Sequence, residues 1–214
     1  SSGTAVKGNS GSILIGTGAA TDGRGGLVAI SAGSGTSGVG GLVSMWGGQS
    51  TTAVGGLVSI SGGVSDVNTG GAVSVASGEG TAKSSGTIYI RSANAGTAGV
   101  SGLLAFSSGT AVSGNSGSLL IGTGAATDGR GGLVAISAGS GTSGVGGLVS
   151  MWGGQSTTLA GGLVSVSGGV ADANTGGAVN LASGEGTAKS SGTIHIRSAN
   201  SGAAGVSGLL AFSS

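Results

Sequence analysis

A glycine opens the same short pattern at Gly11 and again at Gly26, Gly41, Gly56, Gly71 and Gly86, at a constant spacing of 15 residues. One step of 16 carries the series to Gly102. It then continues through Gly117, Gly132, Gly147, Gly162, Gly177 and Gly192, and a second step of 16 ends at Gly208. A chain built this way repeats one small unit, and each unit has neighbours only before and after it. We number each repeat from its opening glycine. Position 3 carries Ile13, Val28, Val43, Val58, Val73, Ile88 and Leu104, and position 5 carries Ile15, Ile30, Met45, Ile60, Val75, Ile90 and Phe106. Between them position 4 is mostly small, as in Ala29, Ser44, Ser59 and Ser74. Period-2 alternation with β-branched residues on one side is the pattern of a half-buried strand. Gly-rich tails such as Gly33-Ser34-Gly35-Thr36-Ser37-Gly38 supply the turns.

Fifteen residues are too few for a strand plus a crossover helix, and far too few for a propeller blade of roughly 40–45 residues. No stretch shows a 3.6-residue apolar period. The sequence therefore predicts an all-β chain, a parallel β-solenoid (β-helix or β-roll) of about 15 residues per turn and about 14 turns, with no helix. Positions 3 and 5 would form the inward columns. With neighbouring strands about 4.7–4.9 Å apart, the rod would be roughly 65 Å long. The position-11 column has two readings. It holds Thr21, Thr36, Thr51, Asp66, Thr81, Thr97 and Val112, with the extra residue of each long repeat placed before it. It is either a surface ladder or a small second strand facing inward. Small residues at positions 7 and 8 (Ala32-Gly33, Gly47-Gly48, Gly62-Gly63) admit close backbone approach and point to lateral association.

A longer period overlies the short one. Residues 1–106 match 107–212 at an offset of 106, with 12 differences. Strand positions change only between apolar residues, as in Ile13/Leu119, Ile60/Val166 and Val75/Leu181. The expected organisation is one continuous solenoid over 1–214, made of two tandem seven-turn super-repeats. Both ends cut through a repeat and neither carries a cap, the pattern of a window on a longer array or of a subunit stacking end to end.

Composition narrows the function. Glycine supplies 54 of 214 residues against an average near 7%. Proline is absent and glycine is not at every third position, which excludes collagen. The 37% hydrophobic content argues against simple disorder. A net charge of +1 does not fit a nucleic-acid binder. No apolar run approaches the ~20 residues of a membrane-spanning helix. There is no cysteine for disulfides or thiolate metal sites.

Residues that could carry chemistry are few and scattered. The single histidine, His195, faces Tyr89 in the other copy, and the carboxylates Asp22, Asp66 and Glu79 stand on separate repeats. Paired acid–base work needs two carboxyl groups at a set separation. Asp22 with Arg24 in Thr21-Asp22-Gly23-Arg24-Gly25-Gly26 has the look of a calcium-binding glycine repeat, but the next repeat has Ser37 in place of Asp22. Calcium takes 6–8 oxygen ligands, so no metal site, cofactor or catalytic centre is expected. Trp46 and Trp152 stand at position 6, with Tyr89, Arg91 and Arg197 on the same parity. These five are the candidate surface-contact residues. A Trp at position 6 either meets a neighbour or a sugar, or covers the glycines of its own turn.

The stretches Gly11-Ser-Ile-Leu-Ile-Gly-Thr-Gly-Ala-Ala-Thr-Asp-Gly-Arg-Gly25 and Gly26-Leu-Val-Ala-Ile-Ser-Ala-Gly33 resemble the β-roll head repeats of trimeric autotransporter adhesins. That resemblance implies cell-surface display and adhesion. The Thr column resembles half of the flat Thr array of insect and grass antifreeze β-solenoids, which implies ice binding. The leading expectation is a structural repeat protein, not an enzyme. It would form an extracellular fibre, stalk or adhesin rod by end-to-end and lateral self-association. The alternative is an ice- or glycan-binding solenoid using its Thr/Ser or Trp-bearing face.

Overall fold

The opening glycine of one repeat is held against the end of the repeat before it. In the computed structural model, which describes residues 1–213, the Gly41 N–H donates to the Gly33 carbonyl at 2.9 Å. Gly56 donates to Gly48 and Gly71 to Gly63 at 2.8 Å, and Gly86 to Gly78 at 2.9 Å. Each bond joins position 8 to position 1 of the next repeat and closes a loop whose ends lie close together. The bend in each of these loops starts at the position-11 column: residues 36–38, 51–53, 66–68 and 81–83.

Glycine at position 1 follows from this contact. Where position 7 bears a side chain, that side chain lies over the next opening glycine. A Cβ on Gly41 would stand 2.9 Å from the Ala32 Cβ, and one on Gly86 3.4 Å from the Ser77 Cβ. At Gly26 the neighbour is Thr17, whose hydroxyl also donates to the Gly26 carbonyl at 3.1 Å. Where position 7 is itself glycine, the two backbones meet directly. A Cβ on Gly47 or Gly62 would collide with the carbonyl of Gly56 or Gly71. Position 7 thus meets the opening glycine of the next repeat within the chain. Three of the four half-buried described residues, Gly62, Ser92 and Gly168, stand at position 7.

The chain divides into two units, Ser1–Ala105 and Phe106–Ser214. The second unit carries the same loop closures at Gly147, Gly162, Gly177 and Gly192, with distances of 2.9, 2.8, 2.8 and 2.9 Å. Gly8 and Gly114, equivalent residues of the two units, end their bends at φ 93° and 127°. L-residues rarely adopt that region, so only glycine closes these two bends without strain.

The predicted all-β parallel β-solenoid is not observed. Among the described residues there is no strand and no helix, and none is buried. The loop closure supplies the physical reason. A solenoid requires Gly41 to stack on Gly26, one full coil earlier, whereas Gly41 is bonded to Gly33. The local contact, eight residues away, takes the place of the coil-to-coil register. The proposed second strand is missing as well, because the Thr column opens the bends. Without a second wall, two apolar side chains per repeat have nothing to pack against.

One trace of the expected pattern survives. Val58 is 47% exposed and Ile60 67%, while Leu57 beside them is 87% exposed. Each repeat follows this order wherever its even positions carry a large apolar residue, as extended chain with alternating faces would. The described surface totals 20801 Å². A compact monomer of 19.1 kDa would expose about 8,400 Å².

The contact at position 7 is testable by amide exchange. In Gly47→Ala the Gly56 amide should exchange about fivefold faster, the loss of one hydrogen bond worth ~1 kcal/mol. Gly48→Ala should leave that amide unchanged, because a Cβ at Gly48 meets nothing within 4 Å.

Candidate functional site

The loops owe their shape to position 10 as well as to the glycines. Ser50 Oγ accepts the Ala53 N–H at 2.9 Å, and Ser65 Oγ accepts the Asn68 N–H at 3.0 Å. In the second unit Ser156 Oγ accepts the Leu159 N–H at 2.9 Å. In each case a serine hydroxyl spans the bend and satisfies the donor three residues on, as local Ser/Thr turns do. Where position 10 is Gly35 or Gly80, the carbonyls of Gly38 and Lys83 instead lie 2.6 Å from where a Cβ would stand. Position 10 is thus a hydroxyl that caps the bend in some repeats and a glycine that makes room for its carbonyls in others, with alanine at Ala20, Ala111, Ala126 and Ala171. These serines were not among the predicted site residues; their signal in the sequence is a serine in second place of a six-residue Gly-free segment, as in 49–54, 64–69 and 155–160.

The five predicted contact residues are all exposed. Trp46 and Trp152 are 84% and 83% exposed, so neither ring covers the glycines of its own turn. Tyr89 and Arg91 are brought together: both line one open depression of about 400 Å³. They stand two residues apart on one parity of an extended segment, so ring and guanidinium face the same way. Arg197 occupies the equivalent position in the second unit, beside His195 instead of a tyrosine. The Thr residues of position 11 are likewise exposed, each at the start of a bend.

Among the described residues no three His, Cys, Asp or Glu side chains gather as a metal site. No buried polar side-chain atom lacks a partner among them, and no helix is long and apolar enough to cross a membrane. What this surface offers chemically is contact: aromatic faces, a guanidinium and an uncharged apolar stripe. No protein-family model, curated protein or solved structure matches the chain.

The two units differ at one capping serine, because Ser65 is matched by Ala171. Ser65→Ala should speed exchange at the Asn68 amide severalfold, in line with ~0.5–1.5 kcal/mol for one hydrogen bond. Ala171→Ser should slow exchange at the Asn174 amide by a similar factor. Nuclear magnetic resonance of the two variants checks both.

Proposed function

We propose that this chain is a structural repeat protein of an extracellular fibre, stalk or adhesin rod, and that its copies associate end to end and laterally. One observation carries this reading: no described residue is buried, yet the apolar side chains at positions 3 and 5 keep a common parity through every repeat. Contiguous exposed apolar surface beyond a few hundred Å² marks an interaction site. A stripe that recurs every 15 residues calls for a partner as long and as regular as itself. The resemblance to autotransporter head repeats supports placing that partner outside the cell. Sedimentation velocity and electron microscopy of the purified chain test the reading. Large elongated assemblies are expected above a threshold concentration, and a single monomeric species at all concentrations would refute it.

The depression at Tyr89 and Arg91 favours a second reading, glycan binding. An exposed aromatic ring stacks on the apolar face of a sugar, and a guanidinium takes a carboxylate in a fork of two hydrogen bonds. A uronic-acid oligosaccharide should bind more tightly than a neutral one of equal length. Arg91→Ala removes the whole fork and should weaken that binding at least tenfold, since a hydrogen bond to a charged group contributes about 1.5–3 kcal/mol. Isothermal titration of wild type and variant decides it.

A further inference from the structure

Position in the repeat sorts the charges. Of the 13 charged side chains, only Arg91 and Arg197 lie in positions 1–8. The others, such as Asp22, Arg24, Asp66, Glu79 and Lys83, lie in the tails, in or beside the bends. The segments of positions 1–8 are therefore almost uncharged, β-branched and free of proline. From position 2 to position 7 their main chain is also unpaired. Among the described residues, backbone-to-backbone hydrogen bonds are confined to the loop closures and to Gly205 with Gly202. Folded proteins hold roughly one internal hydrogen bond per residue, about two-thirds of them on the backbone. A row of unpaired N–H and C=O groups on an apolar, uncharged segment is a template for pairing with another chain.

We infer that a second copy of this chain covers the segments of positions 2–6, through main-chain hydrogen bonds and contacts at positions 3 and 5, while the loop closures at positions 1, 7 and 8 persist and the charged loops stay in water. The inference rests on the fibre reading and names the surface that the fibre uses. Two observations select a second copy as the occupant. The partner must present apolar residues at the same 15-residue spacing, which this chain itself supplies. The segments also lack the charges that would select a charged partner. Copies meeting loop to loop would instead oppose mixed, hydrated charges and leave the apolar stripe wet.

The experiment compares Val58→Lys, within a segment, with Thr52→Lys, within a bend. The readout is the threshold concentration for assembly, followed by light scattering and electron microscopy. Val58→Lys should raise the threshold at least tenfold, and Thr52→Lys should leave it within about twofold. Exchange of the Gly56 amide in the dispersed chains should match wild type in both variants, showing that the loop closure is intact. Equal effects of the two substitutions, or wild-type assembly of Val58→Lys, would overturn the assigned surface while the fibre reading stands. A wild-type chain that never assembles would overturn both.

Discussion

The contact between position 7 or 8 and the next opening glycine is the constraint from which the rest of this structure follows. It takes two forms. Gly47 meets Gly56 backbone to backbone, whereas Ala32 lays its methyl over Gly41. Both exclude a Cβ at position 1, and where position 7 is serine, as at Ser77 against Gly86, the contact relaxes to 3.4 Å. A single hydrogen bond from position 1 to position 8 then closes the loop.

That closure decides what the chain can bury. A nine-residue loop costs less conformational entropy to close than a full fifteen-residue coil, and it needs only one partner group. Once Gly41 is held at Gly33, it is no longer free to stack on Gly26. The apolar residues at positions 3 and 5 keep their alternation but gain no covering wall. They become a stripe instead of a core, and the charges gather in the loops. In the proposed fibre, burial would be completed by assembly rather than by folding alone.

The two units show how far this scheme bends without breaking. Ile60 becomes Val166 and Val75 becomes Leu181 on the stripe, with the loop closures unchanged to within 0.1 Å. Ser65 becomes Ala171, so one bend keeps its hydroxyl cap and its twin does without. Ala53 becomes Leu159 at the end of a capped bend, and the cap is retained because it uses only the backbone N–H. Tyr89 becomes His195 on an exposed face that the fold does not constrain.

By itself the sequence determined the period, the glycine at each opening, the parity of positions 3 and 5 and the absence of helix. These are properties of neighbouring residues and survive in any arrangement of the backbone. Trp46, Tyr89 and Arg91 are exposed, but so are the residues of the opposite parity, so the pattern alone left the Trp readings open. Only the tertiary structure decided which residue each opening glycine meets. Fifteen-residue spacing suits both stacking on the previous coil and closing a loop within it, and the hydrophobic pattern is identical in the two cases. The choice lies in backbone hydrogen bonds and in the space left at Gly47 and Gly56, quantities that a one-dimensional pattern does not contain. For the same reason the Thr column read as a strand or a ladder and proved to be the first residue of a bend.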